Sequence, residues 1–233
     1  MCSGRVDPEF IFRALSHGMD GVFIGGCLLG ECNYTTQGNY QALNLTHLCK
    51  KLLEHIGLNP DRLRIEFMSS GDGMAFVDAA NDFVRQIKGL GPVGKAEGIA
   101  GGELATKLAE VRKLIPYIKM TKREKLEARL LNKEDYAGFY TADEIEALFS
   151  EIVSYYIDPE KCQACMLCAK NCPVDAIESA KKQVHVIDQE KCIKCETCYK
   201  VCPEKFSAVT KIVSAPVPEP VPVEARAIAR GES

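Results

Sequence analysis

The chain has 233 residues, with 29 basic against 32 acidic side chains for a net charge of −3. That length suits one ordinary domain and a small one, and the even charge balance leaves no global footprint for nucleic acid or a membrane surface. No apolar run approaches the roughly 18 residues of a bilayer span, and Met-Cys-Ser-Gly-Arg lacks the basic-then-apolar layout of a signal peptide. Twelve cysteines without an export signal read as metal ligands in a reducing cytoplasm.

The first ninety residues alternate helix and strand. Asp7 can cap a helix that Pro8 opens and Glu9 favours at its positive end, and residues 10–17 place Phe10, Ile11, Ala14 and Leu15 on one side before Gly18. The apolar run from Gly21 to Cys27 predicts a buried parallel strand. A helix over 39–56 follows, with Leu45, Leu48, Cys49, Leu52 and Ile56 as its stripe; Cys49 reads as a small buried thiol within it. Residues 63–68 predict a second strand, and 74–88 an amphipathic helix with Phe76, Val77, Ala80, Val84 and Ile87 on one face. This pattern implies an α/β domain over 1–92, a small parallel sheet flanked by helices. Two strands make an incomplete sheet.

Residues 93–154 read as a glycine-rich hinge and helical linker. The segment from Gly89 to Ala96 matches a phosphate loop except at its last position, where Ala96 replaces Ser or Thr, and it follows a helix rather than a strand. A hinge is the better reading. Leu104, Leu108, Val111, Leu114, Ile115 and Ile118 recur at helical spacing, with Pro116 expected to kink or break the helix. Thr121-x-x-Glu124 and Thr141-x-x-Glu144 are capping boxes that predict two more helices; the stripe of Ile145, Leu148, Phe149 and Ile152 leaves its partner open.

Eight cysteines follow in two runs, Cys162-x2-Cys165-x2-Cys168-x3-Cys172-Pro and Cys192-x2-Cys195-x2-Cys198-x3-Cys202-Pro. This is the spacing of bacterial two-cluster ferredoxins, in which the fourth cysteine of each run crosses to the other cluster. It assigns one [4Fe–4S] cluster to Cys162, Cys165, Cys168 and Cys202, and the second to Cys192, Cys195, Cys198 and Cys172. Three thiolates two residues apart wrap a cube, the x3 step suits a short helical turn, and Pro173 and Pro203 stop that turn. Structural zinc sites use four ligands, usually in two separated pairs, and a disulfide framework suits secreted chains; neither divides these runs. The sequence Ile157-Asp-Pro-Glu-Lys-Cys returns as Ile187-Asp-Gln-Glu-Lys-Cys, so residues 155–213 form an internal repeat and predict an α+β two-cluster module. Cluster ligation should supply much of its folding energy, because so small a domain has a marginal apolar core. Residues 214–233, with proline at alternate positions, predict an extended, disordered tail.

Four cysteines remain. Cys27 and Cys32 stand at the carboxyl end of a predicted strand, where open α/β sheets place ligands, and Cys2 precedes the adjacent helix. C-x4-C is a weak pattern, so spacing alone leaves metal binding and plain thiols both open for Cys2, Cys27 and Cys32.

The stretch Cys2-Ser-Gly-Arg5-Val-Asp-Pro8, with Gly25-Gly-Cys27-x-x-Gly30-x-Cys32-x-Tyr34 and Gly38-Asn39-Tyr40, resembles the delta subunit of methyl-viologen-reducing hydrogenases over residues 1–92. The cysteine-rich module separately resembles the two-cluster ferredoxin domain appended to the NADH-binding subunits of hydrogenases and complex-I-like enzymes. The delta-subunit resemblance implies a [2Fe–2S] cluster at Cys2, Cys27 and Cys32. It also implies partners: a hydrogenase or formate dehydrogenase on one side and a heterodisulfide-reductase-like flavoprotein on the other. The sequence departs from the family at Leu28 and Asn33, where histidine is usual. The family also has a strand and a cysteine-rich segment before Cys-Ser-Gly-Arg. Three thiolates fall short of the four that hold a [2Fe–2S] centre, so Met1 is expected to be an internal methionine, with the native product beginning some tens of residues earlier.

The expectation is an iron–sulfur electron-transfer subunit without substrate chemistry of its own. No G-x-G-x-x-G occurs, so neither nicotinamide nor flavin is expected; the four histidines, His17, His47, His55 and His185, are scattered and read as structural or surface residues. No DNA-reading motif stands out. The alternative is a free ferredoxin-like carrier. Residues 155–213 hold nine lysines against eight aspartates and glutamates, with Lys161, Lys170, Lys191, Lys194 and Lys200 beside the cysteines. Steering to a basic partner would want a strongly acidic surface instead, which favours the fixed subunit.

Overall fold

The computed structural model describes residues 2–34, 38–69, 71–213 and 215–227. The chain divides into two compact units, Met1–Glu146 and Ala147–Ser233.

The first unit opens with a single 3-10 turn, Ser3–Arg5, and then α1 (Pro8–Ser16), whose Asp7 caps the Glu9 N–H as the sequence predicts. β1 (Val22–Gly26) and β2 (Leu63–Phe67) pair in parallel, Val22 opposite Leu63 through Gly26 opposite Phe67. Between them runs α2 (Asn39–His55), the centre of the core. Its Leu48, Cys49, Leu52 and Leu53 are fully buried, together with Ile11, Phe12 and Leu15 of α1. Burial pushes the Cys49 thiol far up, which makes it an inert apolar filler.

α3 (Gly73–Leu90) forms over its predicted span, but its apolar stripe is not covered. Phe83 alone of its residues is buried, packed at 5.6 Å from the Phe23 ring, while Phe76, Val77 and Val84 are about half exposed. A sheet of two strands is too narrow to cover an eighteen-residue helix face, since strands lie only about 4.8 Å apart.

Residues 93–146 are not a linker. α4 (Gly101–Thr121) lies against α1 and buries Leu108, Val111, Ile115 and Ile118. Two guanidinium nitrogens of Arg112 reach Glu9 at 2.6 and 2.9 Å, and Lys119 pairs with Asp7. The helix continues through Pro116, so the expected break does not occur there. The lost backbone bond and ring clash cost about 3 kcal/mol, and the buried residues on either side of Pro116 outweigh it. The capping box at Thr121 is unused: Thr121 ends α4, and the five-residue α5 (Arg123–Glu127) follows one residue later without a side-chain cap. The second box forms reciprocally, with Glu144 N–H on Thr141 Oγ1 and Thr141 N–H on Glu144 Oε2, both at 3.2 Å, at the start of α6 (Ala142–Ser150). Buried Asn44 of α2 ties the return chain down by donating to the carbonyls of Lys125 and Ala128 and accepting from the Tyr140 hydroxyl at 2.7 Å.

The phosphate-loop lookalike is tied down by carboxylates of its own unit. Its amide donors face carboxylates of this chain: Val93 N–H meets Asp20 and Gly94 N–H meets Glu97, at 2.8 and 2.9 Å. Glu97 also receives fully buried Arg62 at 2.6 and 3.0 Å. Gly94 holds φ +78°, where a side chain would both strain the backbone and strike Leu104.

Two titrations should make this unit acid-labile. Burial, aided by Lys50 and Lys51, pushes His47 down to about 4. Burial raises Glu144, but hydrogen bonds from Lys125, Thr141 and Lys122 outweigh it and bring the carboxyl down to about 2. Both folded values lie below the ordinary ones, near 6.5 and 4.3. The stability they supply is therefore complete above pH ~6.5 and is lost on acidification, first through His47 and then, below pH ~4.3, through Glu144. The urea midpoint of the unit should fall in those two stages, and H47Q should remove the first.

In the second unit β3 (Val153–Ile157) pairs antiparallel with β6 (Val209–Val213), and β4 (Ile177–Glu178) with β5 (Val186–Ile187). Each pairing joins one half of the repeat to the other. The helical turns α7 (Leu167–Lys170) and α8 (Thr197–Val201) end before Cys172-Pro173 and Cys202-Pro203 as the spacing predicts. The proline-rich tail departs from the expected disorder over its described part. Val184 N–H donates to Arg226 C=O at 2.7 Å, Arg226 pairs with Glu178 at 2.7 Å, and Val217 and Val221 line an apolar cleft with Ile157 and Val186. Prolines supply few donors, so the described part is held by apolar side chains and by Arg226. Residues 228–233 of the tail lie outside the described residues, as does Met1.

Candidate metal centres

The two cysteine runs close into two cavities. One is lined by Cys162, Cys165, Cys168 and Cys202, the other by Cys172, Cys192, Cys195 and Cys198. The fourth cysteine of each run thus sits in the cavity of the opposite run.

The repeat explains how such similar loops arise twice. Asp158 and Asp188 each turn the chain, their Oδ1 atoms accepting from the N–H groups of Glu160 and Glu190 at 3.0 and 2.9 Å. Their carbonyls accept from Cys162 and Cys192, both at 3.0 Å, and their N–H groups donate to the carbonyls of Ala208 and Ala176. Asp158 is held below the usual carboxylate range chiefly by Lys161, and Asp188 chiefly by the Lys191 amide. Four non-glycine residues stand in the left-handed region at matching places, Ala164 with Lys194 and Met166 with Glu196, at φ between 49° and 66°. Strain of about 1–2 kcal/mol per residue is tolerated where a loop must aim its amides. Some already face sulfur: Lys194 N–H on Cys192 at 3.4 Å and Ala176 N–H on Cys172 at 3.3 Å. Burial pushes the Cys168 thiol up to about 11 and Cys198 to about 12, so a buried thiolate here needs a metal beside it. Eight thiols in two enclosed fours fit two cubanes.

Sequence reasoning missed one neighbour. His185, read as structural or surface, lines the Cys162 cavity and places Nδ1 3.2 Å from Cys168 Sγ. The signal was in the repeat, where His185 falls thirty residues after Tyr155. Four of the five lysines beside the cysteines are engaged locally: Lys161 with Asp158, Lys191 with Asp188, Lys200 with Glu196, and Lys194 with Ser154 at 2.8 Å.

In the first unit Cys2, Cys27 and Cys32 border an open cleft of about 870 Å³ at the carboxyl ends of β1 and β2, where such sheets bind ligands. Cys2 and Cys32 sulfurs are 3.5 Å apart. Amides of Tyr34 and Asn39 lower the Cys32 thiol, while burial and the neighbouring Cys32 and Cys2 raise Cys27. Buried Asn39 donates to the carbonyls of Cys27 and Leu28 at 2.8 and 2.7 Å, which fixes the turn that carries Cys27. Gly38 is demanded by close approach, since a Cβ there would lie 2.4 Å from Cys32 Sγ. Among the described residues three thiols face this cleft, one short of the four of a [2Fe–2S] centre.

Paired four-thiol cavities on a repeated loop define an iron–sulfur protein, and residues 155–209 match the family model for a 4Fe-4S dicluster domain. Residues 1–91 match the family model for the methyl-viologen-reducing hydrogenase delta subunit. Among curated relatives, an iron-sulfur subunit of the F420-non-reducing hydrogenase of Archaeoglobus profundus is 48% identical over 91 residues, covering 39% of this chain and 66% of that protein. The corresponding vhu iron-sulfur subunit of Methanopyrus kandleri is 41% identical over 92 residues, 40% of this chain and 69% of the relative. One component of a ferredoxin/F(420)H(2)-dependent CoB-CoM heterodisulfide reductase from Methanosarcina acetivorans is 42% identical over 94 residues, 40% of this chain but 12% of that component. The chain belongs to the methyl-viologen-reducing hydrogenase delta-subunit family, with a dicluster domain besides. It spans just under two thirds of the Archaeoglobus relative and about an eighth of the Methanosarcina one.

Proposed function

We propose that this chain is an iron–sulfur electron-transfer subunit, relaying electrons between a hydrogenase or formate dehydrogenase and a heterodisulfide-reductase-like flavoprotein. The observation that carries the reading is the pair of cavities, each enclosed by four cysteines with one drawn from the opposite run. Cys162, Cys165, Cys168 and Cys202 would hold one [4Fe–4S] cluster, and Cys192, Cys195, Cys198 and Cys172 the other. Bound there, such clusters supply one-electron acceptance and donation. The chain's own part is to hold the thiolates, to aim the left-handed loop amides at sulfur, and to exclude water with Tyr155, Ile157, Ile187 and Val209.

The partners are inferred from the relatives. A stretch like residues 1–91 occurs as part of a hydrogenase iron-sulfur protein and also within a component of a heterodisulfide reductase, which suits a part that works at the junction of the two. The cytoplasm is the compartment proposed, because cysteines read as metal ligands suit a reducing compartment; among the described residues no helix is long and apolar enough to cross a membrane. The alternative, a free ferredoxin-like carrier, is less favoured because Lys161, Lys191 and Lys200 beside the cysteines are paired within the chain, which leaves less charge for steering.

Anaerobically prepared protein should contain about eight irons and eight sulfides and give two reduced [4Fe–4S] EPR signals; about ten irons would add a [2Fe–2S] centre in the cleft of the first unit. Fewer than about four irons would remove the reading. Co-purification with flavoprotein or hydrogenase subunits supports the fixed subunit, whereas a monomer that reduces diverse partners favours the carrier.

A further inference from the structure

His185 is the only histidine of the second unit, and it is 1% exposed. Burial of an imidazole needs a reason, since both ring nitrogens require partners. Nδ1 has one, the Cys168 sulfur at 3.2 Å, and Nε2 is buried without any. A cysteine bound to iron is a thiolate and can only accept, so the shared hydrogen must lie on Nδ1. Nε2 then carries a lone pair rather than an orphaned N–H, which is the cheaper group to leave unpaired.

We propose that His185 is a positioning residue for the cluster at Cys162, Cys165, Cys168 and Cys202, donating its Nδ1–H to Cys168 and thereby raising that cluster's reduction potential. The inference rests on the ligand reading above. Reduction adds negative charge that is shared with the thiolate sulfurs, and a donor aimed at sulfur stabilises the reduced state more than the oxidised one. The effect is strong because the donor is enclosed: a hydrogen bond gains strength away from water. The second cavity is served differently. Its counterpart residue, Tyr155, presents a ring that packs 6.1 Å from Tyr199, and its polar neighbour is Thr197, whose hydroxyl lies 3.3 Å from the Cys195 sulfur. Cys195 and Thr197 are both partly exposed, so water competes there. Two halves that share their loops thus differ in the group that tunes each.

The test is an EPR-monitored redox titration of the full, cluster-loaded chain. H185L should weaken reduction of this cluster about tenfold, about 59 mV more negative, and leave the other cluster in place. H185N should recover most of the shift, because its side-chain N–H overlies imidazole Nδ1, while T197V should move only the other cluster. A change below twofold in H185L, or an equal shift in H185N, overturns the proposal. Should H185L fail to load, wild-type protein labelled with 15N-histidine provides the same decision. Pulsed EPR of the reduced clusters should show a 15N coupling, and its absence with about eight irons bound sinks this inference alone. Absence of the cubanes themselves would sink the ligand reading and this inference with it.

Discussion

Stripping iron from the full chain is expected to unfold the second unit and to leave the first intact. The reason lies in what each core is made of. The buried cluster of the second unit comprises Tyr155, Ile157, Ile177, Val184, Ile187, Ala208 and Val209 together with Cys162, Cys168 and Cys198, and Cys172, Cys192 and Cys202 pack against it. Remove the metal and the thiols face one another across a void, with a small set of apolar side chains around them to hold four short strands together. A domain this small is marginal even with a complete apolar core, and metal-bound domains of this size commonly unfold on chelation. Protease cleavage between residues 153 and 213 should rise at least about a hundredfold, which corresponds to about 2.8 kcal/mol. The first unit draws on Ile11, Phe12, Leu15, Leu48, Leu52 and Leu53 and owes nothing to metal for its core. Mass analysis of the resistant fragment decides the matter. A second unit that stays as resistant without iron as with it would refute the dependence.

Replacing Arg62 by methionine is expected to cost the first unit about 3–5 kcal/mol, the usual loss when one partner of a buried ion pair is removed. Arg62 is 0% exposed and donates to five acceptors: both Glu97 oxygens and the carbonyls of Asp20, Gly91 and Pro92. Glu97 receives the amides of Asn59 and Gly94 as well. Burial raises the Glu97 carboxyl, but these bonds outweigh it and leave it below its ordinary range. Such a pair often tolerates replacement by two apolar residues. Here it should not, because R62M/E97L would orphan three carbonyls and two amides. The double variant is therefore expected to remain destabilised, although by less than the sum of the singles. At about 2–4 °C per kcal/mol, the single change corresponds to a drop of about 6–20 °C in Tm. Thermal unfolding of both variants gives the answer: a loss under about 1 kcal/mol for R62M, or full recovery in the double, contradicts the account.

What was legible in the sequence was local or repeated. Helix and strand spans from Pro8 to Leu90 follow from caps and periodicity, and they fall within two or three residues of the observed ends. The grouping of the eight cysteines follows from spacing, because loop geometry at two-residue steps is set by neighbours in the chain. The features that were not legible depend on partners far along it. Nothing near Glu97 in sequence announces Arg62, thirty-five residues earlier. Pro116 reads as a breaker until Arg112 and the buried flank of α4 are seen against α1. Asn39 belongs to a motif that carried the family resemblance, yet its task, pinning the Cys27 turn, needs the strand and the helix side by side. The proline-rich tail shows the same limit, since Arg226 finds Glu178 forty-eight residues away.

The exchange of fourth cysteines between the two runs also sets an order of events during synthesis. Cys162, Cys165 and Cys168 leave the ribosome well before Cys202, which is forty residues later and is the last ligand of either cavity. At about 5–20 residues per second that interval is about 2–8 s, during which three thiols of an unfinished site are open to oxidants and stray metal. The other cavity gains nothing by starting later, since its Cys172 must wait for Cys192, Cys195 and Cys198. The topology therefore orders completion against the order of synthesis: the cavity whose first three cysteines emerge earliest is the last to be closed, and a nascent product stalled just before Cys202 carries the four cysteines of the other cavity alone.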